Sequence, residues 1–206
     1  MKRAVLIFVT TTGLAGCLGG SSAPPRTYYV LQDQAPARDT ATAASARQSL
    51  VVGASAGDVF YDAESLVFSR SPGQRAYYQF AAWTDRPARS VVHLAERRLQ
   101  GRGRFASVTG MSAGVRADLV LNIGIMQFYH DVAVHPAVVR VELTGELIDW
   151  RTRSLLAQRT FATSQPVATA DAQAAADAFN RAVTAALDAL VPWVETQAAQ
   201  TASEPG

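Results

Sequence analysis

The residue types that could do chemistry in this chain are one serine in a glycine-flanked stretch of small residues, three histidines and a single cysteine. Ser55 stands in Gly53-Ala54-Ser55-Ala56-Gly57, which matches G-x-S-x-G, the turn from strand to helix that exposes a nucleophilic hydroxyl. A short apolar stretch, Leu50 to Val52, precedes it as a strand should. The next residues, Asp58 to Tyr61, are a poor helix start, and a triad also needs an acid and a histidine on a larger, parallel α/β scaffold. A secreted serine hydrolase using Ser55 is therefore the lesser alternative. His93 and Glu96 are three apart on a helical stretch and could share a metal, but no third ligand stands at a suitable spacing. His130 and His135 bracket the loop between two strands. These histidines read as structural or solvent-facing; no metal, cofactor or catalytic residue is expected.

Cys17 is the only thiol, and the residues before it explain its place. Met1, Lys2 and Arg3 make a cationic start, and Ala4 to Val9 is an apolar run too short to span a bilayer, which takes about twenty residues. The segment reads as a secretory signal over residues 1–16. It ends in Leu14-Ala15-Gly16-Cys17, which resembles the bacterial lipobox. That resemblance implies cleavage between Gly16 and Cys17, a diacylglycerol thioether on the sulfur and a fatty acyl group, such as palmitate, on the new amino terminus. Several chains on one residue would hold the protein on a membrane effectively permanently, since each buried methylene adds about 0.8 kcal/mol. Leu18 comes after the cysteine, where aspartate marks inner-membrane retention in enteric-type bacteria. The resemblance thus favours the periplasmic face of the outer membrane over the inner membrane.

With residues 1–16 removed, one domain of ordinary size remains. Lys2 and Arg3 leave with the signal, so the 19 basic residues become 17 against 17 acidic. A charge balance of zero lacks the basic excess that nucleic-acid binding requires. With no second cysteine the fold must rest on its apolar core rather than on disulfides.

The elements are read from periodicity. Residues 17–26 carry the cysteine and a Gly/Ser/Pro tether, and residues 27–198 form the single domain. Thr27 to Leu31 is a first strand, and Gln32 to Ser49 a long polar loop. Ser65 to Trp83 is a hairpin turning at Pro72-Gly73, with Tyr78 and Phe80 on one face and Arg75, Tyr77 and Gln79 on the other. Thr84 or Asp85 caps a helix with Pro87 in its first turn, Val91, Ala95 and Leu99 at helical spacing, and Gly101 as its stop. Phe105 to Val108 is a further strand. Asp118 to His130 and Ala137 to Trp150 alternate apolar and polar residues, and Leu155 to Thr163 returns beside them. Thr169 caps a last helix carrying Phe179, Val183, Leu187, Leu190 and Val194; Pro192 should kink it or end its regular part, and residues 199–206 read as a disordered tail. The fold class is α+β, two layers: an antiparallel-rich mixed sheet with two main helices on its dry face. Among its aromatics, Tyr77 and Trp83 are the candidate contacts for a partner or a lipid.

In their order, the strand Thr27 to Leu31 soon after the cysteine, the hairpin running into "YYQFAAWTDRP", the helix ending near "GRFASV", the strand "VRVELTGELIDW" and the closing helix "ADAFNRAVTAALDALVPWVE" resemble the ABC-type transport auxiliary lipoproteins of the paraquat-inducible protein C or YmbA type. The resemblance implies a non-catalytic component of a lipid or hydrophobic-solute transport system. Its partners would be a mammalian-cell-entry (MCE) domain protein with the associated ABC permease and ATPase. It implies no catalytic residues, and leaves the homo-oligomeric state, cargo and direction open. A lipid carrier with an internal cavity is a further alternative.

Overall fold

The computed structural model describes residues 24–35 and 48–203; the expected signal segment, with Gly16 and Cys17, lies outside them. Strands β1 (Thr27–Tyr29), β2 (Ser49–Ala54), β3 (Ser65–Ser69), β4 (Ala76–Trp83), β5 (Ser107–Gly110), β6 (Leu119–Asp131), β7 (Val138–Asp149) and β8 (Ser154–Pro166) form one mixed sheet, with helices α1 (Pro87–Arg102) and α2 (Ala172–Ser203). The antiparallel run β6–β7–β8 is its spine, as the alternation along Leu119–Ile125 and Val139–Leu147 predicts. The other edge of β6 is shared: Leu119–Ile123 pairs in parallel with β2, and His130–Asp131 pairs with the end of β3. The β3–β4 hairpin turns at Pro72-Gly73, with Gly73 at φ 75°, a left-handed angle at which a side chain would be strained.

Both helices lie on one face. Ala175, Ala182 and Ala186 of α2 are fully buried, and Thr163 Oγ1 donates to the Ala182 carbonyl at 3.0 Å, so small residues bring the helix close to the sheet. On the sheet side Gly145 does the same, because a Cβ there would stand 3.1 Å from the ring of Trp193. Trp83 of β4, Phe128 of β6 and Phe179 of α2 form the aromatic centre of the core, with Phe128 and Phe179 stacked at 4.5 Å and Trp83 edge-on to both. Trp83 is 1% exposed, so it is a core residue and not the surface contact the sequence suggested.

Helix ends depart from the sequence reading in consistent ways. Residue Arg86 occupies the α1 cap position without a side-chain hydrogen bond, and Pro87, which lacks an N–H to satisfy, opens the helix. The stop is Gly103 at φ 63°, and Gly101 stays helical, because Arg102 is held by a two-bond pair to Glu195 of α2 at 2.8 and 2.7 Å. At the start of α2, Asp171 accepts from the Ala174 N–H at 2.8 Å and serves as the cap, with Thr169 hydrogen-bonded to its carboxylate. Pro192 does not end the helix. One lost backbone hydrogen bond is outweighed by the burial of Val194 and Ala198 beyond it and by the Arg102–Glu195 link, and α2 continues to Ser203, past the start of the expected tail.

The segment after β1 is pinned between the helices. Leu31 is buried, the Gln32 N–H donates to Asn180 at 2.9 Å and the Gln34 N–H to Thr184 at 2.8 Å. Asp33 accepts from Arg98 Nε at 2.7 Å and from Arg98 Nη2, while the same guanidinium reaches Asp188. Of the expected loop over Gln32 to Ser49, residues 36–47 lie outside the described ones.

Candidate functional site

Between the stretches of β6 that pair with β2 and β3, one edge of the strand is unpaired, and residues 55–61 close it. The Ser55 N–H donates to the Ile123 carbonyl at 3.0 Å and the Asp58 N–H to the Ile125 carbonyl at 2.9 Å. A Cβ on Gly57 would sit 2.4 Å from the Ile125 oxygen, and one on Gly124 would meet Ser55 Oγ at 2.7 Å. Gly57 is thus required by close backbone approach and Gly53 lies under the Met111 side chain, which accounts for both glycines of the G-x-S-x-G match without a nucleophile. The chain after Ser55 forms a single 3-10 turn, Val59–Tyr61, and not a helix. Ile123 beside Ser55 is seven strand positions from His130, about 23 Å. Histidine 93 instead faces Glu96 at 3.7 Å, and His135 is exposed; no group of three metal-ligating residues occurs among the described residues. A strain carrying Ser55→Ala is expected to match the wild-type strain in a membrane-permeability assay. Raised permeability with normal protein levels would restore a hydrolytic role.

The 3-10 turn presents an aromatic surface on the sheet face away from the helices. Asp58 Oδ1 accepts from the Phe60 N–H at 2.9 Å and fixes the turn. Val59 is then 85% exposed, and Phe60 stacks on Tyr77 with centroids 4.7 Å apart and planes at 9°. Tyr77, 43% exposed, is the one of the two sequence-suggested contacts that the fold leaves at the surface. Behind this pair, Tyr61 is buried and stacks on Tyr129 at 6.2 Å. Arg75 lies 3.7 Å over the Tyr129 ring and donates from Nε to the Tyr61 hydroxyl at 2.9 Å, a cation–π and hydrogen-bonded clamp. Burial pushes the Tyr61 hydroxyl up and Arg75 partly offsets it, so this phenol stays protonated and is an acceptor for the guanidinium. Arg140 pairs with Asp131 at 2.9 Å beside it.

Sequence alternation missed Tyr129 because β6 carries a bulge. Between Ile125 and Gln127 the register slips by one, with Met126 as the extra residue. Odd-numbered side chains face the helices before it and even-numbered ones after it, so Tyr129 turns outward and His130 inward. His130 is fully buried; its Nδ1 lies 2.8 Å from the Tyr78 hydroxyl, and its Nε2 is without a hydrogen-bond partner among the described residues. Burial lowers its pKa, while Asp131 and Asp171 oppose that shift. Burial also pushes Tyr78 up to about 12.

The sign of the consequence is set by linkage. Below pH 6.5 the unfolded chain takes up a proton that native His130 refuses, so its contribution to stability is intact above 6.5 and is lost as pH falls toward the depressed native value. The slope can reach about 1.4 kcal/mol per pH unit for one group. Urea midpoints are expected to fall as pH drops below about 6.5, and the fall should flatten in a Tyr78→Phe/His130→Phe double variant. An unchanged pH profile in that variant would assign the titration elsewhere.

The family model for the ABC-type transport auxiliary lipoprotein component matches residues 29–191, from β1 to most of α2. The chain belongs to that family. Its fold is similar to a crystal structure of a Xanthomonas campestris protein at 22% identity and TM-score 0.74, with 86% of this chain and 99% of that one covered. A second, uncharacterised crystal structure is similar at 14% identity and TM-score 0.63 over 82% and 99% of the two chains. A hypothetical protein from Chlamydia trachomatis is similar at 12% identity, TM-score 0.51, over 73% and 98%. No curated protein matches the chain. Membership makes this an auxiliary lipoprotein of ABC-type transport, and the matched span is the sheet and helices described above.

Proposed function

We propose that the chain is held by lipid on Cys17 at the periplasmic face of the outer membrane and serves, without catalysis, as a docking component of an MCE-type ABC system moving lipids or hydrophobic solutes. Its partners on this reading are the MCE-domain protein and, through it, the permease and ATPase. The observation that carries the proposal is the Val59–Phe60–Tyr77 surface: an exposed apolar patch backed by a fixed aromatic and arginine clamp and bordered by the exposed carboxylate of Asp58. Exposed aromatics on a rigid support lose little side-chain freedom on association and are the usual anchors of protein interfaces. The lipobox resemblance and the family's lipoprotein character support the anchor, and Leu18 after the cysteine supports the outer membrane.

Crosslinking in cells tests the docking: wild-type protein should capture the MCE-domain partner, and Val59→Glu/Tyr77→Ala should reduce the yield about tenfold at equal protein level. Undiminished capture would move the interface elsewhere. Cys17→Ser is expected to accumulate as unacylated precursor in fatty-acid labelling, and normal acylation of that variant would remove the anchor.

A further inference from the structure

At the other end of the sheet a second apolar surface is left open. The row Thr109–Val51–Val120–Ile148–Leu155 crosses five adjacent strands on the face away from the helices. Its centre is covered, with Val51 and Val120 buried and the Met111 side chain lying over Gly53, but Ile148 is half-buried and Leu155 is 56% exposed. Just beyond, Trp150 starts the β7–β8 turn and is 48% exposed; its N–H donates to the Asp118 carbonyl at 2.9 Å, which ties it to the end of the 111–118 segment. Arg151 and Arg153 share the turn with it, Arg116 lies two residues before Asp118, and Arg104 precedes β5; all four are exposed. Among the described residues the local carboxylates are Asp118 and Asp149. Asp118 accepts from Ser49 and Asp149 from the Arg151 and Thr152 N–H groups, so both are engaged, and the tip carries four arginines against two acids.

We infer that this tip, Trp150 and Leu155 ringed by Arg116, Arg151 and Arg153, seats on the anionic phospholipid leaflet that holds the Cys17 anchor, and so lays the domain down in one orientation. The chemistry fits that occupant: an amphipathic indole and an aliphatic side chain on a hairpin end suit the headgroup boundary, and arginines suit anionic headgroups. Each arginine held near such a surface strengthens binding about fivefold. Reach decides for the anchoring leaflet. Arg26 donates to Ser65 at 3.1 Å, and Ser65 is three residues before Phe68, which pairs with His130. The tip at Leu119 is therefore about eight strand positions, roughly 26 Å, from where the tether enters. Residues 18–26 span up to about 30 Å, so anchor and tip can meet one surface together. The inference rests on the lipid anchor proposed above.

Trp150 is its own reporter, because Trp83 is buried and Trp193 is packed on Phe161 at 5.5 Å. Mature acylated protein would be reconstituted into phosphatidylcholine vesicles with or without about 30% phosphatidylglycerol, both carrying brominated acyl chains, and recovery by flotation would check the anchor first. Tryptophan quenching is expected to be at least about threefold greater in the anionic vesicles, to vanish in Trp150→Phe, and to drop to the neutral-vesicle level in Arg151→Glu/Arg153→Glu. Floating protein with unquenched Trp150 in anionic vesicles would overturn the inference and leave the anchor standing. Protein that fails to float removes the anchor; excess anionic vesicles then still test the tip, with quenching supporting it and none overturning it. Protection of Trp150 from acrylamide by the MCE-domain protein, without quenching by lipid, would make the tip a protein interface instead.

Discussion

Arg98→Ala should lower the unfolding free energy by about 2–4 kcal/mol, between the cost of breaking an exposed ion pair and that of breaking a fully buried one. For a domain of this size that is a fall in Tm of roughly 10 °C. The guanidinium bridges Asp33 and Asp188, and without it the part-buried Asp33 carboxylate keeps only the Ala35 N–H and the Thr184 hydroxyl as partners. Burial alone would raise the Asp33 pKa, but the Arg98 hydrogen bonds and the Ala35 N–H outweigh it and hold the carboxyl below its ordinary value. Stability from this pair is therefore full above the ordinary carboxylate range and lost as pH falls through the depressed value. Calorimetry near neutral pH checks the first statement. The double variant Asp33→Leu/Arg98→Met should recover much of the loss, since an apolar pair removes the unpaired charge. A single variant with unchanged Tm would mean that the strap after β1 does not hold the helices to the sheet.

Trp83→Ala should destabilise by about 3–5 kcal/mol, because it empties the space beside the stacked Phe128–Phe179 pair at the centre of the core. Tyr77→Ala, six residues earlier in the same strand, should change stability far less and act on partner capture instead. Equilibrium urea unfolding separates the two. Equal, small effects of both on stability would mean that Trp83 is not packed as described. The contrast matters because the two aromatics are indistinguishable by type and neighbourhood in the sequence, yet one is enclosed and the other stands at the surface.

That difference comes from register. The pairing of β3 with β4 slips between Ser65 and Val67, so five residues of β4 oppose two of β3, and the alternation that puts Tyr77 outward does not carry through to Trp83. The bulge at Met126 does the same on β6, exchanging Tyr129 for His130 on the helix face. A bulge depends on which strand lies alongside, and nothing in a single strand's period announces it. Helix ends show a related limit. Gly101 and Gly103 are equally good stops by local preference, and a contact with Glu195 in the distant α2 selects between them. Gly53 and Gly57 matched a catalytic pattern because close approach, by the Met111 side chain at one and the Ile125 backbone at the other, demands small residues just as a strained nucleophile turn does.

The chain's own residues determined its two-layer α+β class, its strand and helix order and its family resemblance, because two-residue and 3.6-residue periods are written locally along β6, β7 and α2. The resemblance of Leu14–Cys17 to a lipobox is likewise a statement of sequence alone. Only the tertiary structure decided which aromatics face outward, which glycine stops α1, and that Val59, Phe60, Tyr77 and Arg75 meet on one face. Those outcomes depend on bulges and on contacts between residues far apart in the chain, and these energies exist only once the sheet has assembled.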